Sequence, residues 1–205
     1  MKKAIVIVIA VLASLPAAFA QYGPENALPE QGQIRLGLGW GWAFNMHFEN
    51  DCHTKPINPL MVTADYTVMT FADDQGSVAA GALFEWCRYQ TWSTDKQIQT
   101  VGFKTTHTWN RGVLAAQAVV RYCFWQDFEA FGQVFIGRNL QLGYEEEYSD
   151  PSYESIIPHT SGPGSFGAWG LTAGIGRAIS EHMGVSFYLG LGTYTTLGIN
   201  AYYKF

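Results

Sequence analysis

The last nine residues, Leu197 to Phe205, alternate without a break. Leu197, Ile199, Ala201, Tyr203 and Phe205 fall on one side of an extended chain, and Gly198, Asn200, Tyr202 and Lys204 fall on the other. Successive side chains of a strand point to opposite faces, so a period of two specifies a strand with two chemically different sides. The rhythm recurs along most of the chain. After the first twenty residues, no segment approaches the roughly 20 consecutive apolar residues that a membrane-crossing helix requires. These patterns restrict the chain to an all-β fold.

The first strand is read over 33–44, with Ile34, Leu36, Leu38, Trp40, Trp42 and Phe44 opposite Arg35, Gly37, Gly39, Gly41 and Ala43. Further strands follow at about 60–71, 77–91, 113–125, 129–144, 165–179, 185–194 and 195–205. Their outward rows include Val62, Tyr66, Phe84, Leu114, Val120, Val134, Ile136, Leu171, Ile175, Phe187 and Leu189. Asp73-Asp74-Gln75-Gly76, Gln126-Asp127-Phe128 and Glu181-His182-Met183-Gly184 are compact turn signals that join antiparallel neighbours. Residues 45–59 and 145–164 read as long surface loops. Residues 97–109 alternate weakly and are taken as a tall extension of a surface hairpin, which keeps the strand count at eight. Arg138 interrupts an otherwise apolar outward row, which is tolerable near a membrane interface but costs about 2 to 4 kcal/mol at the midplane.

A sheet whose outward face is apolar along every strand has no obvious inner partner except itself. In hydrocarbon an open sheet edge would leave backbone groups unsatisfied, so closure follows. The expected architecture is an eight-stranded antiparallel up-and-down transmembrane β-barrel. Met1-Lys2-Lys3, the apolar run Ala4 to Ala13 and the small-residue site Ala18-Phe19-Ala20 read as a secretory signal peptide. The organisation is therefore 1–20 signal peptide, 21–32 periplasmic lead-in and 33–205 barrel domain. Composition agrees: charged residues make up 14%, against about 25% in soluble domains, while aromatics reach 15% and there are 22 glycines. A net charge of -5 without a basic patch offers no footprint for nucleic acid.

The inward positions carry both signs, Arg35, Arg121 and Lys204 against Asp65 and Glu85, together with Gln117, Gln133 and Asn200. An eight-stranded barrel is only wide enough for its own side chains. These groups are therefore expected to pair in a packed polar lumen, and a narrow charged conduit for ions or small solutes is the functional alternative. Trp40, Trp42, Phe44, Trp86, Tyr122, Phe124, Tyr203 and Phe205 stand near strand ends, where aromatic rings form interfacial girdles. The acidic run from Tyr144 to Asp150, continuing to Glu154, lacks the glycine-centred spacing of a calcium loop and reads as solvated surface. Cys52, Cys87 and Cys123 have no metal-ligand spacing. No metal or cofactor is expected. His159-Thr160-Ser161 places a base near a nucleophile, as a lipid A-modifying enzyme requires, but in a loop between Pro158 and Pro163. His47, His53 and His107 have no evident nucleophilic partners, and the chain is not read as an enzyme. A soluble, lipocalin-type periplasmic barrel is a further rival, which would call for a hydrophobic interior in place of Arg35, Glu85 and Arg121.

The paired strands around Asp73-Asp74-Gln75-Gly76, then Val119 to Phe124, Phe131 to Gly137 and Gly170 to Gly176, and the closing run Thr196 to Phe205, together resemble small outer-membrane β-barrel proteins of the OmpX/OmpA-like, porin-family class common in Bacteroidetes. The three cysteines depart from that pattern. The resemblance implies residence in the cell outer membrane, contact with outer-membrane lipid and lipopolysaccharide, and a monomer delivered by the barrel-assembly machinery. That machinery would read the outward row Leu197, Ile199, Ala201, Tyr203 and Phe205 as its signal. The implied role is envelope structure or surface interaction through the loops.

Overall fold

Alternation becomes a cylinder in which every strand is antiparallel to its neighbours. A computed structural model describes residues 28–43, 53–94, 104–125, 127–149, 166–192 and 194–205. The strands are β1 (Ile34–Trp42), β2 (His53–Phe71), β3 (Gly76–Thr94), β4 (Lys104–Trp125), β5 (Phe128–Tyr148), β6 (Phe166–Ala178), β7 (Met183–Leu191) and β8 (Leu197–Lys204). They follow one another around a closed barrel. The closing ladder between β1 and β8 runs from Arg35↔Lys204 to Trp42↔Leu197. The all-β, eight-stranded, up-and-down architecture expected from the alternation is the one observed. Residues 104–125 form one continuous strand, as the hairpin-extension reading required. The signal peptide and most of the expected lead-in lie outside the described residues.

Two loop boundaries need correction. Residues 53–59, read as loop, belong to β2, and residues 145–148 extend β5. Prolines and charges weaken the apolar rhythm there without preventing the backbone from continuing its ladders. The expected seventh and eighth strands also meet differently, because β7 ends at Leu191 and β8 starts at Leu197, with 192 and 194–196 outside both strands. As a result β2 to β5 have 19 to 22 residues, whereas β1, β7 and β8 have only 8 or 9. Strands of 9 to 11 residues suffice to cross a bilayer. The longer four rise beyond the short ones by roughly 25 Å, given about 3.3 Å per residue and a tilt near 40°.

The faces separate cleanly over the shared height. Outward side chains are apolar and open to the surroundings, with Ile136 72%, Trp169 69% and Leu38 63% exposed. Arg138 on β5 and Arg177 on β6 stand at opposite ends of this band on one seam, paired in register with Gly167 and Phe128. The cation that seemed to break the pattern thus sits one band-height above the lower turns, near an interface. β-Bulges adjust the facing. Val68 is the extra residue where the β2–β3 register shifts, which leaves both Val68 and Met69 outward. Leu142 plays the same part in β5, so above it Tyr144 and Glu146 fall opposite the inward Trp109 and His107. One added residue reverses the facing of everything beyond it.

The lower end, which carries the short turns, is closed by the lead-in. Pro29 is buried, and Leu28 packs against Cys123 and Ala178. Gly32 takes a φ of 89°, a conformation suited to glycine, and its N–H donates to the Thr67 carbonyl at 2.9 Å. The β2–β3 turn is unusual, because Ala72, Asp73 and Asp74 all have φ between 53° and 63°. Asp74 accepts a hydrogen bond from the Thr70 hydroxyl at 2.6 Å, a local contact of the kind that helps Asp tolerate the left-handed region. Ala72 has no such compensation.

Candidate functional site

Among the described residues, polar side chains concentrate in the lumen behind the apolar band, and the lumen is built in layers. Lowest lies a charged layer. Arg121 donates from Nη1 and Nη2 to Asp65 Oδ1 and Oδ2 at 2.9 and 2.7 Å, a two-pronged pair whose side chains are only 9% and 2% exposed. Such fork geometry combines charge with direction. Arg35 donates to Glu129 Oε1 at 2.7 Å, and its guanidinium lies 3.5 Å over the Tyr202 ring, a cation–π arrangement. Lys204 is buried at the same level, in register with Arg35. Inward glycines make room. A Cβ added at Gly37 would come within 2.8 Å of the Asn200 amide.

Above the charges, Gln133 donates to Gln117 at 2.9 Å. Beside them is a cavity of about 30 Å³ bordered by Gln117, Thr172, Tyr188 and Asn200. Each of these four residues has a buried polar atom without a protein partner, and the space suits about one or two waters. The next layer is apolar: Met61, Leu83, Val113, Ala115, Phe135 and Tyr188 form one buried cluster across the bore. This corrects the expectation of a uniformly polar lumen. Inward positions in a narrow barrel need only fit one another, and hydrophobic side chains fill the middle.

Over that layer the β7–β8 turn folds into the mouth. Glu85, fully buried, accepts from Tyr194 N at 3.0 Å, Thr195 N at 2.9 Å and Thr195 Oγ1 at 2.6 Å. Asn139 bridges the same turn, donating to Tyr194 OH at 2.5 Å while accepting from Arg111 at 3.4 Å. Glu85 is therefore a latch for backbone and hydroxyl donors, where a cationic partner was expected.

The projecting strands invert the membrane pattern. Their outer side carries Arg88, Gln90, Thr108 and Glu145, with an exposed Arg88–Glu145 contact at 3.5 Å. Their inner side carries rings: Trp109 lies 6.2 Å from Tyr89 and 4.5 Å from Tyr144 between ring centres, and Trp109 Nε1 donates to Thr91 at 3.1 Å. Burial, reinforced by the charge of Glu146, pushes the Tyr144 phenol up to about 12. The Tyr144 hydroxyl and His107 Nδ1 share a hydrogen bond of 2.6 Å. Glu146 is 3.5 Å from the same nitrogen.

Of the eight lumen residues named from sequence, Asp65 and Arg121 are brought together, as are Gln117 and Gln133. Arg35 meets Glu129, which the sequence reading passed over, and Glu85 meets the turn. Asn200 and Lys204 face inward from β8. Glu129 and Arg111 share the odd-numbered facing of Gln133 and Arg121, and that parity was the available signal. The row Leu197, Ile199, Ala201, Tyr203 and Phe205 lies on the outer face, with the Tyr203 and Phe205 rings edge to face at 4.7 Å. Among the described residues no group of His, Cys, Asp and Glu is arranged to hold a metal ion. Cys87 and Cys123 are buried near opposite ends of the lumen. His159, Thr160, Ser161 and Cys52 lie outside the described residues.

No family model matches the chain, and no curated protein does. Among solved structures it is similar to two crystal structures of Ail, the attachment invasion locus protein of Yersinia pestis. One of them is a complex with the heparin analogue sucrose octasulfate. Each shares 9% identity and covers 86% of this chain and 100% of that one, with TM-scores of 0.39 for the complex and 0.38 for the other.

Proposed function

We propose that this chain is a non-catalytic integral barrel of the outer membrane, sealed to solutes, that acts at the cell surface through the tall wall of β2 to β5 and the loops above it. The observation that carries this reading is the combination of a closed sheet, an encircling band of exposed apolar side chains and an apolar layer across the bore. Soluble monomers rarely leave contiguous apolar patches beyond roughly 300 to 600 Å² in water. A band on every strand fits hydrocarbon instead. The paired charges low in the lumen, the cluster of Met61, Leu83 and Phe135 above them, and the latched turn at the mouth all favour a plug over a pore. In this reading the partners are outer-membrane lipid and lipopolysaccharide, delivery is by the barrel-assembly machinery, and the protein is a monomer.

Membrane fractionation combined with gel migration before and after boiling tests the location. A folded barrel pellets with outer membranes and changes mobility on heating. A soluble protein with one mobility would overturn the proposal. In planar bilayers the refolded protein is expected to give no discrete conductance steps, and regular steps would favour the narrow-channel alternative. Lipid A spectra unchanged on expression are expected as well, since a shifted mass lost in His159→Ala would identify a lipid-modifying enzyme.

A further inference from the structure

The wall is uneven beside β6. The β5–β6 ladder climbs to Asn139↔Phe166, whereas the β6–β7 ladder begins only at Leu171↔Leu191. Residues 166–170 therefore form rungs with β5 and none with β7. A cavity of about 270 Å³ lies there. On its inner side are Val113 and Asn139, both buried in the lumen, and on its outer side is Trp169, which belongs to the exposed row. The lining thus joins residues of the lumen face to Trp169, whose side chain belongs to the face that the proposed function assigns to lipid.

Two glycines shape this notch. A Cβ at Gly167 would touch nothing within 4 Å, and Gly192 has a φ of 78°, which glycine alone adopts readily. The described lining carries no charge, and its polar members, Asn139 and Tyr194, are already bonded to each other. A ligand therefore needs no polar group inside. Just outside, Arg138 points away from the lumen as the register partner of Gly167, and its guanidinium makes no ion pair with a described residue.

We propose that the notch takes one acyl chain of an outer-leaflet lipid whose anionic headgroup rests against Arg138. The inference depends on the membrane location proposed above. Its size falls just below the roughly 300 Å³ at which drug-sized pockets begin, which suits a single chain better than a whole lipid. The opening continues the apolar row of Trp169 and Leu171, so a chain enters from hydrocarbon without crossing water. A guanidinium at that height matches a phosphate by charge and hydrogen bonding.

The test uses the full mature barrel in phosphatidylcholine vesicles doped with phosphatidylglycerol or phosphatidylcholine that bears a photoreactive group on one acyl chain. Adducts are mapped by peptide mass spectrometry. The expected result is labelling of inward Ala168 or Tyr194 in addition to outward Leu171 and Ile175. Gly167→Leu, whose side chain would stand at the outer mouth beside Arg138, should cut the inward adducts severalfold and spare the outward ones, while Arg138→Gln should weaken inward labelling by the anionic probe only. Migration before and after boiling confirms that each variant is folded, and Ala168→Leu serves to fill the notch if Gly167→Leu does not fold. Labelling confined to outward residues, or inward labelling indifferent to both filling variants, would overturn the notch. Indifference of the anionic probe to Arg138→Gln would overturn the headgroup contact. No labelling of Leu171 or Ile175 would instead remove the membrane location itself.

Discussion

Replacing Asp65 with Asn leaves Arg121 buried without the carboxylate that holds both of its terminal nitrogens at 2.9 and 2.7 Å. The charged layer then contains Arg35, Arg121 and Lys204, with Glu129 still paired to Arg35. Removing one partner of a buried pair costs about 3 to 5 kcal/mol, because the remaining charge keeps its desolvation penalty. Replacing both partners with apolar residues is often near neutral for the same reason. Asp65→Leu/Arg121→Leu is therefore expected to be more stable than Asp65→Asn, Asp65→Leu or Arg121→Leu. Urea unfolding of the refolded barrel in lipid vesicles, followed by tryptophan fluorescence, supplies the double-mutant cycle. Raising salt should leave the single-variant cost unchanged, since water and ions do not screen a pair this deeply buried. The exposed Arg88–Glu145 contact is the internal control: its partners are 40% and 61% exposed, and such pairs contribute about 0 to 1 kcal/mol. A cost for Asp65→Asn no larger than that of Glu145→Gln, or one that fades with salt, would refute the layered-lumen argument.

Glu85→Ala removes the acceptor of three hydrogen bonds and should cost about 3 kcal/mol, while amide exchange at Tyr194 and Thr195 accelerates far more than in β3. Phe135→Ala opens the apolar layer and should cost about 3 to 5 kcal/mol by urea unfolding. Ala72→Gly should stabilise the barrel by about 1 kcal/mol, because glycine occupies the left-handed conformation without the Cβ penalty. The raised Tyr144 phenol favours the folded state while both forms are protonated. That contribution is present below about pH 10 and is lost as pH rises through about 12, so Tyr144→Phe should remove one late-ionising phenol from a spectrophotometric titration.

Alternation revealed which side of the sheet each residue occupies, and it did so for β1 and β8 nearly residue by residue. It carries no information about height. The pairing of Asp65 with Arg121 therefore followed from facing plus opposite charge, whereas Glu129 escaped notice because it begins a strand, next to a turn, where facing is easily misjudged. The upper parts of β2 and β5 read as loop in the sequence because a strand that rises beyond the apolar band has no need of apolar outward side chains, and its pattern relaxes. The single-residue bulge at Leu142 hid the inward aromatic group in a second way, by reversing the parity of Tyr144 and Glu146 relative to the rest of β5. The latch on Glu85 was illegible for a third reason: its partners are main-chain N–H groups, which every residue possesses.

The unequal strand lengths also bear on how the cylinder is put together and taken apart. The four long strands are consecutive and share extended ladders between near neighbours in sequence, so they can form while the rest of the chain is still unpaired. The brief ladders that join β7, β8 and β1 include the only one that must unite the two ends of the barrel. That seam is expected to close last, because it combines the longest chain closure with a ladder of only eight register pairs. It is also the place where a partly denatured barrel parts first, exposing a free strand edge at the stretch that the assembly machinery is proposed to read.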